Sequence, residues 1–200
     1  MSRATAVSRR GFILLGGAAL LAACTGKPAP EPATETPLIT FTHRPPIGFD
    51  VAQVDIQQPF VSKGRAPNVE HLLANPPARV AERWAKDRLR ARGDQGVARY
   101  SILDASITET TLKTDKTIQG IFKSQVDTRY DGRIEIRLDV QNSGGQGFAN
   151  AVVTRSQTAR EDLTLNERDA LLIQFVEDMG RDLDARMNDE ILRSLSRFMR

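Results

Sequence analysis

Apolar and polar positions alternate most regularly between Arg129 and Val140, where Ile134, Ile136, Leu138 and Val140 fall on one side and Arg133, Glu135, Arg137 and Asp139 on the other. A period of two predicts a strand buried on one face and wet on the other, with outward charges of alternating sign able to pair across a sheet. Val97 to Thr110 predicts a second long strand. Tyr100 and Ile102 share one phase and Leu103, Ala105 and Ile107 the other, so it carries a bulge or is buried on both sides. The segment Asn142 to Gly147 reads as a hairpin turn, and Phe148 to Ser156 as the returning strand. Phe49 to Ile56 predicts a further strand, and Ile39 and Phe41 a short edge strand in the transitional segment 38–46.

Two helices emerge from the 3.6 period. Pro76 and Pro77 open the first, at a position where a missing amide costs nothing, and it is expected to run to Arg92, with Gly93 past its end. Ala81, Trp84 and Ala85 lie on its inner arc, and Asn68 is placed to cap a single turn, Val69 to Ala74, before it. Thr164 and Glu167 have the spacing of a capping box ahead of the second helix. Leu172, Val176, Met179, Leu183, Met187, Ile191, Leu195 and Phe198 continue as one stripe. At 1.5 Å per residue, about 33 residues make about 50 Å of helix. Typical strands of about 20 Å are shorter. The helix is therefore expected to bend near Gly180 or to overhang the sheet from Met187 to Met199. Arg193, Arg197 and Arg200 in that overhang suit either the negative end of the helix dipole or a docking face for a partner helix or lipid headgroups. The order strand, helix, strand, strand, strand, helix predicts an α+β two-layer sandwich, an antiparallel sheet of about four strands with two main helices.

The connection between the two longest strands is long for a small domain. Leu112, Ile118, Ile121 and Phe122 interleave there with Lys113, Lys116 and Lys123. It reads either as strand ends extending a hairpin with its apolar residues packed locally, or as a loop that touches membrane or a partner.

The first 23 residues follow a different rule. Arg3, Arg9 and Arg10 stand without an acid before an apolar run, Gly11 to Ala23, that is too short to span a bilayer. Ser8-Arg9-Arg10-Gly11-Phe12-Ile13 resembles the twin-arginine export motif, with Ile13 in place of the usual leucine; a general secretory signal is the alternative. Leu21-Ala22-Ala23-Cys24 resembles the bacterial lipobox, which implies cleavage before Cys24 and acylation of its thiol and new amino terminus. The resemblance implies a membrane anchor at Cys24, and Thr25 in place of an acid implies the outer membrane in a two-membrane cell. Thr25 to Pro37 is rich in proline, alanine and acids and reads as a tether reaching up to about 40 Å. The chain thus divides into a signal (1–23), a lipidated cysteine with tether (24–37) and one α+β domain (38–200).

Charge and composition narrow the function. The whole chain carries a net charge of +3, but three of its arginines lie in the signal, leaving 25 basic and 25 acidic residues after it. A neutral exported domain lacks the electrostatic footprint of a nucleic-acid binder. Cys24 is the single cysteine, so once lipidated it leaves no thiol for a disulfide or a metal. His43 and His71, the two histidines, sit apart in proline-flanked and turn segments, and neither a G-x-S-x-G nor an H-E-x-x-H pattern occurs. No enzyme, metal or cofactor is expected. The element order behind a lipobox resembles that of small envelope lipoproteins, the lipopolysaccharide-assembly lipoprotein and the auxiliary lipoproteins of lipid-transporting ABC systems. That resemblance implies a non-enzymatic accessory or scaffold with an envelope protein partner; a lipid- or ligand-carrying module is the alternative, and a periplasmic hydrolase the least favoured. The candidate contacts are Leu112, Ile118, Ile121 and Phe122 on the connection and Ile191, Leu195 and Phe198 on the helix end.

Overall fold

A computed structural model describes residues 38–113 and 126–200, all within one compact unit, Thr36–Arg200. Along the chain come β1 (Ile47–Phe49), β2 (Gln53–Gln57), α1 (Pro77–Arg88), β3 (Leu89–Ala91), β4 (Val97–Lys113), β5 (Val126–Asn142), β6 (Gly145–Ala159) and α2 (Leu165–Ser194), with short 3₁₀ turns at Glu70–Leu72 and Ser196–Phe198. The α+β class and the long final helix are as expected. The main sheet has the order β2-β4-β5-β6. β4, β5 and β6 form an antiparallel meander, while β2 runs parallel to β4, because the chain between them passes through α1 and returns in the same direction.

Strand β5 keeps the alternation of its sequence. Ile134, Ile136, Leu138 and Val140 are buried, and the charged residues between them face out. In β4 the register shifts between Ile102 and Asp104. This bulge resolves the two phases: Tyr100, Ile102, Ala105 and Ile107 all reach the core, and Leu103 is turned outward. The two helices lie on the core face, α1 against β4 and α2 along β6. Trp84 stacks on Tyr100, with ring centroids 5.7 Å apart. The Tyr100 hydroxyl donates to the Ala81 carbonyl at 3.1 Å, and burial pushes its pKa well up. Gly180 is what lets the helices approach: a Cβ there would sit 3.1 Å from Val80 Cγ1 and 3.4 Å from Phe41 Cζ.

Four expectations are corrected. The strand expected over Phe49 to Ile56 is two strands in two sheets, broken at Asp50–Ala52, where Val51 drops into the core with no exposed surface. The segment with Ile39 and Phe41 is not a strand; Phe41 is buried and its amide donates to Asp87 Oδ2 at 2.9 Å. Helix α1 stops at Arg88, four residues early, because Leu89–Ala91 pairs in parallel with β1. Gly93 therefore caps nothing. Its amide donates to Val51 O at 2.9 Å, and a Cβ would lie 2.7 Å from the Asp50 carbonyl carbon, so only glycine fits this crossing.

The fourth concerns the overhang, which is absent. Strands β4 and β5 have 17 residues each, about 56 Å, and match the 30 residues of α2, about 45 Å. After α2 the chain turns back on the sheet. A Cβ on Gly147 of β6 would lie 2.7 Å from Phe198 Cε2 and 3.0 Å from Leu195 Cδ2. Asp50 N donates to Phe198 O at 2.8 Å, and Arg200 N to Gly48 O at 2.9 Å.

A buried carboxylate locks the loop before α1, which sequence reading passed over. Glu70 is 1% exposed and accepts from Ser62 Oγ at 2.5 Å, Ile107 N at 3.1 Å and Asn68 Nδ2 at 3.3 Å. Burial alone would raise its pKa, yet these donors together hold it below the ordinary 4.5. A carboxylate with a depressed folded pKa contributes stability above its unfolded value and loses it as pH falls through the folded one. Glu70→Gln is therefore expected to lose about 1.5–3 kcal/mol at pH 7, the range of a charge-assisted hydrogen bond, and to show a flatter loss of stability than the parent below about pH 4.5 in urea titrations.

Candidate functional site

Of the residues singled out in the sequence, Arg9, Arg10, Phe12, Leu21, Ala22, Ala23 and Cys24 lie outside the described residues, as do Ile118, Ile121 and Phe122. Leu112 is half-buried near the end of β4, opposite Asp127 of β5. Ile191, Leu195 and Phe198 are 0%, 0% and 1% exposed. They fill the core rather than present a face, and the exposed apolar residue on that stretch is Leu192. The three arginines nearby are also engaged within the chain. Arg193 pairs with Glu190, Arg197 Nη2 donates to Gln146 O at 2.6 Å, and Arg200 Nη1 pairs with Asp50 Oδ1 at 3.0 Å. Leu195 and Phe198 pack on Gly147 at one end of the sheet, and the paired strand ends Lys113 and Val126 lie at the other.

The outer face of the sheet carries the charged residues of β5. Its charges pair mainly along β5 itself: Arg129 with Asp131 at 2.8 Å, Arg133 with Glu135 at 2.5 Å and Arg137 with Asp139 at 2.8 Å. Across strands, Arg133 also reaches Asp104 at 3.3 Å and Arg99 reaches Asp55 at 3.5 Å. The expected cross-strand pairing is therefore the lesser part, because the residues directly opposite Arg129, Arg133 and Arg137 are uncharged: Thr110, Ser106 and Ser101 on β4 and Thr158, Thr154 and Asn150 on β6. Hydrogen bonding from Ser156, then Arg129, holds the Asp131 carboxyl below its usual range. Between these charges stand Leu103, Phe148 and Val152, between 42% and 52% exposed, with the Arg137 guanidinium 4.3 Å above the Phe148 ring. Phe148 and Val152 share the phase of the polar Asn150 and Thr154 in β6, and their register with Asp139 and Glu135 of β5 places them on the wet side.

Between the helices the charged groups are buried and paired. Asp184 of α2, 4% exposed, accepts from Trp84 Nε1 at 2.8 Å and Arg88 Nε at 3.1 Å, and pairs with Arg44 Nε at 3.0 Å. Arg88 also donates to the Pro45 carbonyl and to Asn188 Oδ1. This cluster ties both helices and the entering chain together, and every partner it has is internal.

His43 and His71 are both exposed. Among the described residues no group of three or more histidine, cysteine, aspartate or glutamate side chains could hold a metal ion, and no helix is long and apolar enough to cross a membrane. What the arrangement offers chemically is a surface: a flat plate of self-paired charge carrying a few apolar side chains.

No family model matches the chain, and no curated protein matches it. Among solved structures it is similar to a minor lipoprotein from Acinetobacter baumannii, at 11% identity over 68% of this chain and 90% of that one, with a TM-score of 0.32. It is likewise similar to the rare lipoprotein B from Shewanella oneidensis, at 12% identity over 69% of this chain and 96% of that one, with a TM-score of 0.29.

Proposed function

We propose that this chain is a bacterial envelope lipoprotein, exported by the signal around Arg9, Arg10 and Phe12, cut after Ala23 and anchored through acylated Cys24 on the periplasmic face of the outer membrane. Its domain acts there as a non-enzymatic accessory or scaffold in envelope assembly or lipid transport. The observation that carries the reading is Leu21-Ala22-Ala23-Cys24, with the single cysteine of the chain standing where an apolar run ends. The domain supports the second half of it by what it presents: the outer sheet face carries Leu103, Phe148 and Val152 exposed among its charges, and the charged side chains that converge most closely, around Asp184, are consumed within the fold.

A carrier that holds lipid between sheet and helices would need space there. That layer is filled by Trp84, Tyr100, Tyr130, Phe175, Ile134 and Met179, none more than 2% exposed, so the scaffold reading is preferred. The test is photo-crosslinking in intact cells from residues placed at Ile121 and at Phe148. Capture of a defined envelope protein from either position supports the accessory role. Absence of any adduct from both, in cells where the protein is present in the membrane, removes that role and leaves the anchor standing.

A further inference from the structure

The tether enters the domain at Leu38, and what surrounds that entry is apolar. Ile39 packs beside Gly180 of α2 and, with Leu72, Leu73, Leu172, Ile173 and Val176, lines a hollow of about 200 Å³ between the turn ahead of α1 and the first half of α2. Leucines stand out of the protein around it. Leu72 on the rim is 73% exposed and Leu38, beside Ile39, is 57% exposed. Leu165 is 81% exposed and lies one helical turn before Asp169, on the stripe that leads to Leu172 and Val176. A single exposed leucine is ordinary, but three at one end of a domain around an apolar hollow form a patch that calls for a cover.

The chain itself says what is close enough to cover it. Thirteen residues, 25–37, separate Leu38 from Cys24. A tether that short, reaching about 40 Å at most, keeps this end of the domain beside the bilayer. It also holds the local concentration near the millimolar range, so weak insertion suffices. Charge selects the kind of lipid. Arg160 and Arg168 stand against Glu161, Asp162, Glu167 and Asp169 along the start of α2, so attraction to anionic headgroups is not available there. We infer that this end of the domain, through Leu38, Leu72 and Leu165, lies on the interface of uncharged lipid in the membrane that anchors it. The tether then serves to bring this face down rather than to hold the domain away.

The inference rests on the anchor at Cys24 proposed above, and one experiment separates the two. The lipidated full chain is purified with a cysteine introduced as Leu72→Cys, Leu165→Cys or Leu192→Cys, each labelled with an environment-sensitive fluorophore and reconstituted in phosphatidylcholine vesicles with or without spin-labelled lipid. Leu192 is 53% exposed on the opposite side of α2, about 40 Å along the helix from Leu165. Quenching at Leu72 and Leu165 is expected to exceed that at Leu192 by at least about three-fold, and not to rise when phosphatidylglycerol is added. Equal quenching at all three positions, or quenching that appears only with phosphatidylglycerol, overturns the docking. Should the protein fail to float with the vesicles, or should Cys24 itself accept the label, the anchor falls and the docking with it; a protein that floats but is quenched equally loses only the docking.

Discussion

Asp184→Ala is expected to destabilise the domain by about 3–5 kcal/mol, a cost set by what it leaves behind. Arg88 is 2% exposed and would remain buried without its carboxylate, and the indole N–H of fully buried Trp84 would lose its acceptor. A stable domain has about 5–15 kcal/mol in all, so the variant should sit near the edge of folding. The measurement is urea unfolding of the full chain, read as a lower midpoint at unchanged slope. Asp184→Asn keeps the acceptor oxygen and the shape, and should cost less, about 1.5–3 kcal/mol, because only the charge assistance is lost. If Asp184→Ala costs under about 1 kcal/mol, the contacts of Arg88 with Pro45 and Asn188 are enough to satisfy it and the carboxylate is not the tie described above.

The second large effect concerns location. Cys24→Ser is expected to abolish fatty-acid incorporation altogether, leave the first 23 residues uncut and empty the outer-membrane fraction of the protein. Serine preserves size, but its hydroxyl is not the thiol nucleophile that acylation uses. The anchor proposed above would be large: each buried methylene contributes about 0.8 kcal/mol, so acyl chains at both the thiol and the amino terminus would hold the protein for good. Labelling cells with radioactive palmitate and comparing the mobility of parent and variant checks both points. A parent protein that carries no label, or whose native mass retains the signal, ends the lipoprotein reading.

Much of the fold was legible because it is written in local periodicity. The alternation in β5 depends only on one buried face, and the capping box of Thr164 and Glu167 depends on four residues, with Thr164 N donating to Glu167 Oε2 at 2.8 Å and Glu167 N to Thr164 Oγ1 at 3.3 Å. What failed was set by distant partners. Leu89 to Ala91 continue a helical pattern, and only the presence of β1 alongside pulls them into a strand. The stripe through Ile191, Leu195 and Phe198 is apolar as its spacing predicts but buried rather than free, because β4 and β5 are about three times the typical strand length and the chain after α2 folds back on the sheet. The apolar spots on the wet face follow from phase: Phe148 alternates with Asn150 and Thr154, and its register with Asp139 confirms it outward.

One feature of the architecture bears on how fast the domain can form. The strand Ile47–Phe49 is flanked by β3 on one side and, on the other, meets Met199 in a bridge, with Arg200 closing on Asp50 across 150 residues of chain. Contacts of that sequence separation carry a high loop-closure cost and slow the search for the native state. Ile47 to Phe49 thus depend on Met199 and Arg200, the last residues of the sequence, to complete their surroundings. A pathway that exports chains only after folding would give this contact time to close before the domain crosses a membrane.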